Sequence, residues 1–119
     1  MKVKYTTIAV ESMEESIKFY SEVMGLGVDR KFNPRPGLNI TFMKGEGDSI
    51  IELIENQTEE TPEVPGLIAV GFEVQDMDTT VKKLKSKGAN FTMDPIQTPV
   101  EKLAFIEDPN GVRIALIQH

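Results

Sequence analysis

Ile8-Ala9-Val10-Glu11-Ser12-Met13 is answered 64 positions later by Phe72-Glu73-Val74-Gln75-Asp76-Met77. Each hexapeptide runs from a short strand pattern into a residue suited to cap a helix, Ser12 or Asp76, and then a methionine. Downstream, Met13, Ile17, Tyr20 and Met24 form one apolar stripe, and Met77, Val81, Leu84 and Gly88 a second. Both are spaced 4, 3 and 4, the pattern of a helix lying on a core. Glu15, three residues after Ser12, completes a capping box, in which side chains satisfy backbone N–H groups left free by the first turn. Gly25 and Gly88 read as helix stops. Glu14 and Glu15 at one N-terminus, and Lys85 and Lys87 near one C-terminus, suit the helix dipole.

The correspondence continues at an offset of 63. Asn39-Ile40-Thr41-Phe42-Met43 falls on Lys102-Leu103-Ala104-Phe105-Ile106, and Ile51-Glu52-Leu53-Ile54 on Ile114-Ala115-Leu116-Ile117. Flanking strands that match at nearly one offset are more than two amphipathic helices resembling each other. Two copies are too few for a solenoid. Each copy reads as strand, helix and three strands, with strands near 3–10, 26–33, 38–44 and 49–55, then 67–74, 89–93, 101–107 and 112–118. Lys44-Gly45-Glu46-Gly47-Asp48 and Asp108-Pro109-Asn110-Gly111 supply hairpin turns. The expected organisation is one domain of two repeats: a first module over 1–56, an acidic connection with two prolines over 57–66, and a second module over 67–119.

Composition removes several function classes. A chain of 119 residues is one domain with a core of its own. It has no cysteine, so disulfides, iron–sulfur clusters and thiolate nucleophiles are excluded. Its single histidine, His119, is the last residue, which leaves no histidine triad or multi-histidine metal site within one chain. The net charge of −6 argues against nucleic acid and anionic membranes as partners, because both are bound through basic surfaces. Met1-Lys2-Val3-Lys4-Tyr5 lacks the apolar run of a secretory signal, and no stretch approaches the roughly 18 apolar residues of a membrane span. The expected location is the cytoplasm.

Taken with the repeat, two stretches resemble a known group. Thr7-Ile8-Ala9-Val10 followed by Met13 to Leu26, with Phe19-Tyr20 and Met24-Gly25-Leu26, is similar to the opening strand and helix end of the vicinal oxygen chelate superfamily. This superfamily includes glyoxalase I, bleomycin-resistance proteins, extradiol dioxygenases and methylmalonyl-CoA epimerase. Ala104-Phe105-Ile106-Glu107-Asp108-Pro109-Asn110-Gly111-Val112-Arg113-Ile114 resembles its closing hairpin. The resemblance covers essentially the whole chain. It implies an α+β fold in which two βαβββ modules form an open barrel-like cup, helices outside and ligand inside. It also implies a homodimer, with Leu38, Val64 and Val100 as plausible contacts.

Metal-using members of the superfamily draw a histidine from the first strand and a glutamate from the last strand of each module. The matching positions here are Tyr5, Glu52, Ala69 and Ala115, and the repeat supports that register: 5 and 69 differ by 64, 52 and 115 by 63. Only Glu52 keeps a ligand. One carboxylate holds a divalent ion too weakly for a catalytic geometry. No metal and no cofactor are expected.

Strand alternation extends the cup lining from those four positions. With Tyr5 go Thr7 and Ala9; with Glu52, Ile50 and Ile54; with Ala69, Gly71 and Glu73; with Ala115, Arg113 and Ile117. The opposite parity, Ile8, Val10, Ile51, Leu53, Val70, Phe72, Val74, Ile114 and Leu116, is uniformly apolar and suits the face beneath the helices. The candidate ligand-lining set is therefore Tyr5, Thr7, Glu52, Ala69, Glu73, Arg113 and Ala115, with Glu52 as candidate acid or base. The competing reading is that Glu52 and Arg113 pair with each other or face water, and that the small residues only allow close packing. Three functions fit: a metal-independent binder of a small organic molecule, a glyoxalase I-like lyase or isomerase acting on a small carbonyl or thioester, or a non-binding structural subunit whose cup has collapsed.

Overall fold

The structure, a computed structural model, describes residues 3–60 and 69–119. The chain divides into two compact units, 1–63 and 64–119, which repeat one architecture. The first runs β1 (Thr6–Ala9), α1 (Met13–Lys18), a π-helical turn (Phe19–Val23), β2 (Gly27–Arg35), β3 (Leu38–Lys44) and β4 (Ile50–Asn56). The second runs β5 (Ala69–Glu73), α2 (Met77–Ser86), β6 (Asn90–Gln97), β7 (Lys102–Glu107) and β8 (Arg113–Gln118). The sheets have the orders β1-β4-β3-β2 and β5-β8-β7-β6. In each, the first strand lies parallel to the last and the remaining pairs are antiparallel. The expected α+β class and the two βαβββ modules are present.

The repeat is also chemical. Ser12 Oγ accepts from the Glu15 N–H at 3.2 Å, and Asp76 Oδ1 accepts from the Thr79 N–H at 2.9 Å. A second free N–H of each first turn is taken by a side chain of the last strand: Met13 N donates to Glu55 at 2.8 Å, and Met77 N to Gln118 at 2.6 Å. These bonds tie the helix start to the sheet and satisfy donors that the helix leaves open. The helices stop at Gly25 and Gly88, whose φ values of 77° and 81° cost a glycine little.

Between each helix and its sheet lies an apolar layer. Ile8, Val10, Met43, Ile51 and Leu53 are buried in the first module; Ile106, Ile114 and Leu116 are buried in the second. These residues of the expected apolar parity are buried, but Glu52 and Ala115, of the opposite parity, are buried too, and Val70, Phe72 and Val74 are only half-buried.

Three details differ from the sequence reading. The first helix is not one α-helix over Ser12–Met24; after Lys18 it widens into the π-helical turn. The buried residues are Ser16, Phe19 and Tyr20, whereas Met13, Ile17 and Met24 are half-buried. A wider turn brings two consecutive aromatics onto the sheet, their rings edge-to-face at 5.0 Å. Next, β2 and β6 outrun their expected ends at 33 and 93. Pro34 and Pro95 fall where the register slips, on edge strands, so neither proline interrupts the ladder. Finally, most of the connection expected at 57–66, and Val64 as a contact, lie outside the described residues.

Candidate functional site

In the first module one row crosses all four strands on the face opposite Met43 and Leu53. Thr7 is the register partner of Glu52, Glu52 of Phe42, and Phe42 of Arg30. The Thr7 hydroxyl donates to Glu52 Oε1 at 2.7 Å, and the Glu52 side chain is only 8% exposed. Beside this pair an aromatic cluster is built on Phe42. Tyr5 meets Phe42 edge-on at 5.5 Å, and Phe32 lies nearly parallel to it at 6.0 Å with 16° between planes. The Arg30 guanidinium sits 4.9 Å above the Phe42 ring and 5.9 Å above that of Phe32. Phe42 is nearly buried, while Tyr5 and Phe32 remain 44% and 45% exposed. At the rim of this module, Lys4, Asp29, Lys44, Gly47, Asp48 and Ile50 line an open hollow of about 490 Å³, which is not centred on Glu52.

In the second module the equivalent row is Gly71, Ala115, Phe105 and Met93. It keeps the aromatic ring and has neither the carboxylate nor the hydroxyl. The Arg113 guanidinium, from the neighbouring row of β8, lies 5.6 Å over Phe105. Ala69 and Glu73 stand on β5 opposite Arg113 and Ile117, and both are exposed. A Cβ on Gly71 would come within 3.2 Å of Ile117 Cδ1, so a larger residue there would press on the end of the Ile117 side chain.

The first module therefore brings Tyr5, Thr7 and Glu52 together. In the second, Ala69 neighbours Arg113, and Ala115 lies between Gly71 and Phe105. Within its own module, Arg113 stacks on Phe105, and Glu52 takes the Thr7 hydroxyl. A lining extended only along the first and last strands does not include Phe42, Phe32 or Arg30, which lie on β3 and β2; of these Phe42 is buried. A signal was present: Phe42 and Phe105 fall at the same place in both copies, each ten residues before Glu52 or Ala115.

The four positions that the resemblance assigns to metal ligands can be judged by their donor atoms. Ala69 and Ala115 have none, Tyr5 packs edge-on against Phe42, and Glu52 already accepts one hydrogen bond. His119 lies past the end of β8, with Nδ1 3.9 Å from a carboxylate oxygen of Glu101. Among the described residues, no group of three or more His, Cys, Asp or Glu could hold a metal ion. The donor set does not fit a divalent metal.

Comparison with known proteins identifies the lineage. The family model described as the Glyoxalase/Bleomycin resistance protein/Dioxygenase superfamily matches residues 2–116. A lactoylglutathione lyase of Haemophilus influenzae is 31% identical, covering 100% of this chain and 93% of its own length. A probable lactoylglutathione lyase of Vibrio parahaemolyticus is 34% identical, covering 99% and 91%. The crystal structure of TnmS3, an antibiotic binding protein from Streptomyces sp. CB03234, superposes with a TM-score of 0.81 at 24% identity, covering 99% of this chain and 95% of that one.

Proposed function

Because the chain belongs to the glyoxalase/bleomycin resistance protein/dioxygenase superfamily, we propose that it is a metal-independent member that binds a small organic molecule. The observation that carries this reading is the pair of alanines, Ala69 and Ala115, at two of the four positions where a metal-using relative places ligands. A catalytic metal centre takes about three protein ligands and an open position, and Glu52 alone does not approach that. What the first module offers instead is an aromatic surface beside a nearly buried carboxylate, a combination suited to an organic ring with a polar substituent. The proposed assembly is a homodimer; Val28, Phe32, Ile96 and Val100 are large apolar residues left exposed in a single chain. The proposed location is the cytoplasm. No helix among the described residues is long and apolar enough to cross a membrane.

The second reading is a glyoxalase I-like lyase or isomerase acting on a small carbonyl or thioester. It is favoured by the names of the curated relatives and by the retention of Glu52. A thermal-shift screen against small metabolites, run with and without chelator and followed by an assay for lactoylglutathione lyase activity, separates the two. A ligand that binds only the folded chain raises its melting temperature by mass action. Stabilisation by an organic compound that survives chelation supports the binder. Lyase activity that depends on added metal overturns it.

A further inference from the structure

In this row of the first sheet, two opposite charges have no charged partner among the described residues. Glu52 Oε1 is bonded to Thr7, and the second carboxylate oxygen has no hydrogen bond among the described residues. The Arg30 guanidinium has aromatic rings beneath it and no ion pair among the described residues. The two residues stand two strands apart in one register row, with Phe42 between them. Neighbouring strands are about 4.8 Å apart, so their backbones are separated by roughly 10 Å. The result is an aromatic cluster with a hydrogen-bond acceptor beside Phe42 on one strand and, lying over the Phe42 and Phe32 rings, a planar set of five donors from the strand on its other side.

The second module is an internal comparison. Its row keeps the aromatic ring, Phe105, but has Ala115 where Glu52 stands and Met93 where Arg30 stands. The polarity of the first row is thus a property of these residues and is not required by the fold.

Deepening the binding function proposed above, and resting on it, we propose that this row selects a planar two-ring aromatic molecule with an acidic group at one end and a hydrogen-bond donor at the other. The acid meets Arg30, whose fork matches a carboxylate in two parallel hydrogen bonds. The donor meets the second oxygen of Glu52. The rings lie against Phe32 and Tyr5, both about half exposed. Thr7 is a positioning residue: its hydroxyl fixes one carboxylate oxygen and leaves the other for the ligand.

The test uses 6-amino-2-naphthoate, 2-naphthoate and 2-aminonaphthalene, titrated calorimetrically into the wild-type chain and into Arg30→Met, Arg30→Lys and Glu52→Gln. Arg30 is exposed, so its variants fold, as a thermal melt verifies. The expected order in the wild type is 6-amino-2-naphthoate tightest. Arg30→Met weakens both carboxylates by about tenfold or more, the usual scale of a charge-assisted hydrogen bond, and leaves 2-aminonaphthalene within about twofold. Arg30→Lys restores part of the loss, and Glu52→Gln narrows the gap between the amino and plain naphthoates. Equal weakening of all three compounds by Arg30→Met overturns the proposal, as does no binding of any of them. If the naphthalenes fail while another metabolite stabilises the chelated protein, the charged row is wrong and metal-independent binding stands. If nothing binds and metal-dependent lyase activity appears, both are wrong.

Discussion

Thr7 and Glu52, register partners on the parallel strands β1 and β4, are joined by a 2.7 Å hydrogen bond from hydroxyl to carboxylate. The bond helps account for how a glutamate stays 8% exposed beside Phe42: one of its oxygens accepts the Thr7 hydroxyl within the sheet. Glu52→Gln keeps shape and the accepting oxygen, so thermal and urea denaturation should show a loss below about 1 kcal/mol. Ligand binding, in contrast, should weaken clearly. A large stability loss with unchanged binding would make Glu52 structural.

Leu53, the next residue along β4, faces the other way and is fully buried beneath the helix. Leu53→Ala should therefore destabilise the chain by about 2–5 kcal/mol, the range for a leucine truncated in a packed core. Chemical denaturation measures it. A change under about 1 kcal/mol would place the core on the wrong face of this sheet.

Asp76 gives a pH signature. The Thr79 backbone N–H, donating to its carboxylate at the start of α2, holds its pKa below the ordinary value of 3.8. A group whose pKa is lowered by folding stabilises the fold above its unfolded pKa and stops doing so as pH falls through its folded one. Asp76→Asn keeps an acceptor for the cap but cannot ionise. The stability difference between wild type and Asp76→Asn should be constant at neutral pH and should shrink as pH drops below the ordinary carboxylate range. Melting curves across that range check it; a difference that grows on acidification contradicts it.

Much of the fold was legible because the same physics is written twice. Caps at Ser12 and Asp76, stops at Gly25 and Gly88, and apolar parity in β4 and β8 each have a counterpart at an offset of 63 or 64. Edge strands were less legible. A proline ordinarily ends a strand in a sequence reading, yet Pro34 and Pro95 sit at bulges where no ladder hydrogen bond is lost. The π-helical turn was invisible, since Phe19-Tyr20 fits an α-helical stripe with either residue inward and only packing places both there. Thr7 and Glu52 were found by alternation from the family positions. Phe42 lies on β3, beyond the first and last strands along which the lining was extended, and its burial suits a core residue as well as a site wall. Arg30 was hidden further by the register slip between Val28 and Arg30.

Assembly is checked by light scattering. The proposed homodimer has twice the 13.3 kDa chain mass at micromolar concentration. A species at the chain mass itself would contradict it.

The register of the four family positions has a converse test. Tyr5→His, Ala69→His and Ala115→Glu together restore the donor set of two histidines and two glutamates that the family resemblance implies. The variant should acquire metal affinity and a melting temperature that rises with added metal. A variant that folds but gains neither would show that one of these positions is misassigned.

The central claim is that the unmodified protein works without a metal, and elemental analysis of the chain purified without chelator tests it most directly. The account predicts only substoichiometric zinc, nickel, iron and manganese, and the same melting temperature before and after chelation. Stoichiometric metal whose removal lowers the melting temperature would contradict it.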